Sequence, residues 1–244
     1  MCRVALVALL VLAAWGGDAG AGSRHFRVLF IGNSLTATND LPGMVTAIAR
    51  GVGHATVDTR TVAPGGFALE DHWTMGAARD ALDDGRWDVV VLQQGPSSLP
   101  ESRANLIEWA KRWADAARAR GARPALLTVW PETARSSIFG DVVRNYHDAA
   151  VQAEAASFPA GAAWRDALRR TPKPRLYGPD GFHPSRLGTY LAALVVYQGL
   201  TGELPRTLPR VVPFSPVTAR VLRAAASSAY SSPRRATAGT TSAR

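Results

Sequence analysis

The stretch "VLFIGNSLT", residues 28–36, decides how the rest of this sequence is interpreted. An apolar run leads directly into Gly32, Asn33 and Ser34. An apolar run that stops abruptly at small polar residues is typical of a buried strand followed by a loop. A serine at such a point is a candidate for chemistry, and the rest of the chain must supply its partners.

Strand-like and helix-like patterns alternate from residue 25 onward. The predicted strands are "FRVLFIG" (26–32), "HATVDTRTVA" (54–63), "WDVVVLQQG" (87–95) and "PALLTVW" (124–130), with "FPAGAAW" (158–164) as a last weak strand or a loop. The predicted helices cover residues 39–53, 67–85, 101–120, 141–156 and 184–202. Regular alternation of this kind predicts a parallel sheet of about five strands with helices on both faces, which is a three-layer α/β/α sandwich.

The two ends of the chain differ from its middle. Arg3 precedes the apolar run 4–15, small residues follow, and residues 1–21 therefore resemble a signal peptide that is too short for a membrane span. We expect an exported protein, periplasmic or extracellular, with no membrane span in the mature chain. Cys2 is the only cysteine, so cleavage would leave no thiol. Residues 22–212 are predicted to form one domain, and residues 213–244, rich in Ala, Ser, Thr and Arg, a disordered extension.

The chain is basic, with a formal charge of +9. The arginines are scattered and no Lys/Arg run is interleaved with aromatic residues, so we expect no nucleic-acid partner. A cationic surface could equally favour an acidic polysaccharide or the cell envelope. His25, His54 and His147 have no partner at metal-ligand spacing, and we expect no metal site.

Small and polar residues follow each of the predicted strands. In parallel sheets, ligands bind outside the carboxyl ends of the strands. The loops concerned are 32–34, 64–66, 94–97 and 130–131, and the late loop "GPDGFHPS" (178–185) adds Asp180 and His183.

Ser34, His183 and Asp180 supply the three groups of a nucleophilic site. A serine needs a neighbouring base, and the base needs a partner that fixes its tautomer. The G-x-S-x-G motif of the α/β-hydrolases is absent, because Thr36 occupies the place of the second glycine. Taken singly, Asn33-Ser34 could merely cap a helix, and Asp180-Gly181 could be only a turn.

Four short motifs resemble those of the SGNH (GDSL-like) hydrolases. "IGNSLT" (31–36) is similar to the first block of that family, "APGG" (63–66) to the second, "VVVLQQGPSS" (89–98) to the third and "DGFHPS" (180–185) to the last. Each motif is short, but the four occur in order, each in a loop or at the end of a predicted strand.

The resemblance implies a flavodoxin-like esterase fold without a cofactor. It implies Ser34 as nucleophile, His183 as base and Asp180 as the residue that orients the base. It also implies an oxyanion hole formed by the Ser34 N–H, a second-block glycine N–H and a third-block asparagine. The glycine is Gly66, with Gly65 as the alternative.

The third block departs from the family pattern. Ser97 stands where the asparagine is expected, and its hydroxyl is a shorter donor than an amide. Gln94, next to Gly95, carries an amide that could substitute for it. Losing one oxyanion-hole donor costs on the order of a hundredfold or more in turnover.

Three further residues are candidates for substrate binding. Asn33 adjoins the serine, His72 follows the glycine pair, and Trp130 ends the fourth predicted strand. For His72 a satisfied structural histidine is the alternative, and for Trp130 the alternative is core packing.

These patterns predict an exported serine esterase that hydrolyses a small acyl ester, such as an O-acetyl group on a carbohydrate, through an acyl-serine intermediate. Two alternatives remain open at this point. One is a non-catalytic glycan-binding protein with the same fold, which would tolerate the missing asparagine. The other is a lipase or thioesterase with a wide apolar cleft for longer acyl chains.

Overall fold

The computed structural model describes residues 24–231, and a five-stranded parallel sheet forms its centre. The strands are β1 (Arg24–Ile31), β2 (Ala55–Val62), β3 (Val89–Leu92), β4 (Arg123–Leu127) and β5 (Ala156–Phe158). They run in the order β2-β1-β3-β4-β5 across the sheet. The predicted sheet of about five parallel strands is confirmed.

Helices cover both faces of this sheet, so the predicted three-layer sandwich is confirmed as well. The helices are α1 (Ser34–Ala37), α2 (Leu41–Val52), α3 (Leu69–Met75), α4 (Ala77–Asp83), α5 (Pro100–Arg118), α6 (Phe139–Gln152), α7 (Ala160–Ala167), α8 (Arg186–Thr201) and α9 (Pro216–Ser231), with a 3₁₀ helix at Thr133–Ile138. One layer contains α2 and α8, with α7 and α9 packed beside α8, and the other contains α3, α5 and α6.

The position of each strand follows from its residues. All four residues of β3 are buried, and so is the second half of β1, as expected for central strands covered on both faces. In β2 the buried residues Ala55 and Val57 alternate with exposed ones, as expected for a strand at the edge of the sheet.

The last strand lies earlier in the sequence than predicted. Residues 156–158 form β5 and residues 160–167 form α7, whereas 158–164 were expected to be a strand or a loop and 141–156 a helix. A three-residue edge strand is too short to show a period of two. The alanines that follow it favour a helix, and Ala160, Ala163 and Ala167 are fully buried.

The C-terminal prediction is wrong for half of its length. Residues 216–231, expected to be disordered, form α9, which packs against α7. Its buried residues Val221, Leu222, Ala225 and Ala226 recur at three- and four-residue steps, so the composition rich in small residues concealed an amphipathic helix. The folded unit therefore extends beyond residue 212. The predicted signal peptide and residues 232–244 lie outside the described residues.

No helix between residues 24 and 231 has the length and apolar character needed to cross a membrane.

Candidate active site

The order of the strands places the candidate site at the carboxyl-terminal ends of the strands, between β1 and β3. The connections leave β1 toward β2 on one side and continue through β3 on the other, and ligands bind at such a switch point, beyond the carboxyl ends of the strands. Ser34 follows β1 as the first residue of α1, and Gln94 follows β3. The two loops are therefore neighbours because their strands are hydrogen-bonded neighbours.

Ser34, His183 and Asp180 lie together at the carboxyl-terminal ends of the strands. Ser34 Oγ lies 3.0 Å from His183 Nε2, and His183 Nδ1 lies 2.5 Å from Asp180 Oδ2. Because an ionised carboxylate can only accept, Nδ1 carries the proton and Nε2 is left to accept from the serine hydroxyl. This is the arrangement that a serine nucleophile and its base require.

The loop that carries Asp180 also fixes its charge. Asp180 Oδ1 accepts from the backbone N–H groups of Phe182 and His183, both at 3.0 Å. The bond to the His183 side chain, followed by the bond from the Phe182 N–H, lowers the pKa of Asp180 below its usual value. Asp180 is therefore ionised at neutral pH and orients the imidazole.

Contacts from the preceding elements hold this loop in place. Trp130 Nε1 donates to the Phe182 carbonyl at 3.1 Å, and the Thr133 N–H donates to the Gly181 carbonyl at 2.8 Å. Within the loop, the Gly178 N–H donates to the His183 carbonyl at 2.7 Å. Hydrogen bonds to neighbouring elements therefore hold the loop that carries His183 in a fixed position.

The nucleophile loop is built around Asn33. Its Oδ1 accepts from the Leu35 N–H at 3.1 Å, which caps α1, and its Nδ2 donates to the Phe67 carbonyl at 3.0 Å. The capping interpretation of Asn33 is therefore correct alongside its place at the pocket wall. Sequence reasoning missed Gln93, whose buried amide lies next to this loop.

A pocket of about 650 Å³ opens beside Ser34. Its walls are mostly small, polar or aromatic, and Glu101 is the charged side chain among them. The lining residues are Asn33, Ser34, Gly66, Phe67, Ala68, Gln94, Gly95, Pro96, Ser97, Glu101, Ser102, Asn105 and Phe182. Glu101, Ser102 and Asn105, which come from α5, had no distinguishing pattern in the sequence.

The candidate oxyanion donors differ in how their hydrogens are used. Gly66, rather than Gly65, lies on the pocket wall. The Ser97 hydroxyl donates to the Gly95 carbonyl at 3.2 Å. Gln94 Oε1 accepts from the Leu69 N–H at 3.2 Å, so its Nε2 faces the other way, 3.1 Å from Ser97 Oγ and 3.5 Å from Asn105 Oδ1.

Two predicted substrate-binding residues are placed elsewhere, and that prediction is corrected. His72 is 2% exposed and its Nε2 donates to the Gly32 carbonyl at 2.7 Å, while burial lowers its pKa. Trp130 is 1% exposed and stacks on Trp164, with ring centroids 3.5 Å apart. His72 bonds to the loop that carries Ser34, and Trp130 bonds to the loop that carries His183. Both are therefore buried supports of these loops.

No protein-family model and no curated protein sequence matches the chain. Solved structures do. A provisionally assigned SGNH hydrolase from Slackia heliotrinireducens is 28% identical, with a TM-score of 0.60 over 72% of this chain and 100% of that one. This chain is SGNH-like in sequence and in fold.

Two further structures are similar in fold to this chain at lower identity. A DUF4886 family protein from Bacteroides uniformis is 19% identical, with a TM-score of 0.68 over 84% of this chain and 95% of that one. A catalytic variant of an acetylxylan esterase from Geobacillus stearothermophilus is 15% identical, with a TM-score of 0.56 over 75% of this chain and 97% of that one. These two structures show the fold alone. The 28% identical structure confirms the predicted resemblance to the SGNH hydrolases and supports a hydrolase.

Proposed function

We propose that this SGNH-like chain is a serine ester hydrolase. The observation that carries the proposal is the continuous hydrogen-bonded series from Ser34 Oγ through His183 to Asp180 at the edge of an open pocket. Such a series activates a hydroxyl that is otherwise a weak nucleophile at neutral pH. It is difficult to explain as helix capping, because the side chain of Asn33 already caps α1.

The residues act in two half-reactions. Ser34 Oγ bonds to the ester carbonyl carbon while its proton passes to His183 Nε2, and the tetrahedral intermediate collapses as that proton goes to the leaving alcohol. A water molecule then gives a proton to His183 and attacks the acyl-Ser34 ester, and the collapse of the second intermediate returns that proton to Ser34 Oγ. Asp180 remains ionised throughout and stabilises the imidazolium. No cofactor takes part in these steps.

Three groups are proposed to hold the oxyanion: the N–H groups of Ser34 and Gly66, and the amide of Gln94. Gln94 is preferred to Ser97 because the Ser97 hydrogen is directed to a carbonyl, whereas one hydrogen of Gln94 makes only a 3.5 Å contact with Asn105. A contact of that length is weak and can be exchanged for a substrate oxygen. Ser97 then orients the Gln94 amide rather than contacting the oxyanion.

The pocket wall favours a small acyl group on a polar alcohol, such as an O-acetyl carbohydrate. Glu101, Ser102 and Asn105 offer hydroxyl, amide and carboxylate groups on the side formed by α5. A long acyl chain lying along this wall would cover the exposed carboxylate of Glu101, and taking a charged group out of water is costly. The shared fold with an acetylxylan esterase agrees with this substrate class.

Hydrolysis and labelling by a fluorophosphonate probe test the proposal together. We expect the wild type to be labelled on Ser34 and to prefer p-nitrophenyl acetate to the octanoate. Ser34→Ala should abolish labelling and lower turnover by about a thousandfold or more, as should His183→Ala. Ser227→Ala and His147→Ala are the matched controls, because both residues are exposed and belong to α9 and α6.

The outcomes separate the three classes. Absence of labelling, with acetate hydrolysis equal in wild type and Ser34→Ala, would contradict the esterase and favour a glycan-binding protein. Preference for octanoate would support a lipase or thioesterase. Cleavage after residue 21 and export are proposed from the sequence alone, and the intact mass of the secreted protein tests them directly.

A further inference from the structure

We propose that Gln93 is a positioning residue that sets the geometry of the Ser34 loop, an inference that rests on the proposed function. Gln93 follows the last residue of β3, and its N–H continues the sheet by donating to the Ile31 carbonyl at 2.9 Å. Its side chain therefore lies beside the loop that follows β1. It is 1% exposed and does not line the pocket, so it touches no substrate.

All four hydrogen-bonding positions of the Gln93 amide are used. Oε1 accepts from the Asn33 N–H at 3.0 Å and from the Thr36 hydroxyl at 2.8 Å. Nε2 donates to Asn33 Oδ1 at 2.9 Å and to the Gln94 carbonyl at 2.6 Å. An amide has two acceptor and two donor positions, so this set leaves none free.

These bonds enclose the nucleophile on both sides. Asn33 directly precedes Ser34 and Thr36 follows it by two positions, and Asn33 also caps α1 with the same Oδ1 that Gln93 Nε2 contacts. The direction of the first turn of α1, and with it the direction of Ser34 Oγ, therefore depends on Gln93. A methyl group at Gly32 would lie 2.6 Å from Gln93 Oε1, so the chain leaves room for this amide.

Gln93 also connects the nucleophile to the third loop. Its Nε2 shares the Gln94 carbonyl with the Tyr146 hydroxyl, which lies 2.5 Å from the same oxygen. Gln93 Nε2 therefore bonds both to Asn33 and to the backbone of Gln94, whose side chain is the proposed oxyanion donor. A displacement of about 1 Å at a reacting group can cost a hundredfold in rate. The buried amide of Gln93 therefore fixes the position of the nucleophile relative to that of the proposed oxyanion donor.

The test compares kcat and KM for p-nitrophenyl acetate in Gln93→Met and Thr36→Val. Thr201→Val is the matched control, because it removes a buried hydroxyl that bonds to the Tyr197 carbonyl at the far end of α8. Activities are normalised to the folded fraction measured by urea unfolding. We expect Gln93→Met to lower kcat by about tenfold or more and Thr36→Val by severalfold, with KM within twofold of wild type. Fluorophosphonate labelling of Ser34 should slow in parallel and still reach completion.

A purely structural Gln93 predicts a different result. In that case both variants would lose stability while kcat per folded molecule stayed within twofold of Thr201→Val, and the inference would be wrong. If Gln93→Met does not fold, Thr36→Val decides by the same comparison. Ser34→Ala, measured in the same series, separates the two proposals: if it leaves hydrolysis unchanged, the esterase proposal itself has failed.

Discussion

Asn39 donates a hydrogen bond from Nδ2 to the Pro184 carbonyl at 2.9 Å. The bond joins the turn after α1, the helix that begins at Ser34, to the residue directly after His183. The same Nδ2 also donates to Thr189 Oγ1 at 3.0 Å, in the first turns of α8. Ser34 and His183 are 149 positions apart in the chain. They are held together by their own hydrogen bond and by the contact between the segments that follow them, at Asn39 and Pro184.

Asn39→Asp tests this connection. The carboxylate tolerates the left-handed backbone at this position (φ +57°) but cannot donate, so the Pro184 carbonyl loses its partner. We expect a loss of about 1–3 kcal/mol in the free energy of unfolding and a severalfold lower kcat. Urea unfolding and p-nitrophenyl acetate kinetics measure the two. Unchanged values for both would show that the Ser34–His183 distance is maintained without Asn39.

Gly181→Ala tests the turn between Asp180 and His183. Gly181 has φ +70°, and a methyl group there would lie 2.5 Å from Thr133 Oγ1. We expect a lower kcat and a loss of stability above the roughly 1 kcal/mol that a left-handed alanine costs alone. Gly53→Ala is the matched control, because Gly53 has φ +82° with nothing within 4 Å of the added carbon.

The double variant Gly181→Ala/Thr133→Ala separates the two contributions. It removes the close contact and leaves the backbone strain, so it should recover part of the lost stability. Failure to recover any would show that the contact with Thr133 is relieved at no cost in the single variant.

His72 should make the protein less stable in mild acid. Burial lowers its pKa in the folded state below the value of about 6.5 that applies when the chain is unfolded. The unfolded state therefore binds the proton first as pH falls, and the stability that is present above pH 6.5 declines as the pH falls through the lowered pKa. Urea unfolding between pH 8 and pH 5 measures the decline. His72→Gln, which can still donate to the Gly32 carbonyl, should flatten the profile, whereas His147→Gln, on an exposed position, should leave the decline intact.

Leu222→Ala tests the C-terminal helix. Leu222 is fully buried in α9, which packs against α7, so its truncation should cost about 2–5 kcal/mol in the free energy of unfolding. Val217→Ala, on the same helix at a residue that is 40% exposed, should cost well under half as much. Equal small effects would mean that α9 does not contribute to the cooperative core.

The elements with strong patterns were predictable. The apolar runs of β1 and β3 end abruptly at small or polar residues, and the long helix after Pro184 has clear start and stop residues at Pro184 and Gly202, so their positions are confirmed. The three-residue β5 and the alanine-rich α7 and α9 were not predicted correctly, because small residues are compatible with a helix, a loop or a tail until a neighbouring helix covers them.

The sequence by itself determined the architecture and the three side chains that meet at the site, those of Ser34, His183 and Asp180. Strand and helix periodicity prescribes a parallel sheet, and a parallel sheet brings the loops after its strands to a single edge, so residue types in those loops already indicate what can meet there. Tertiary structure alone decided what each polar group does. Trp130, His72, Gln93 and Gln94 carry no sequence signal that separates a pocket wall from a buried support, because that difference depends on which neighbouring atoms take up their hydrogen bonds.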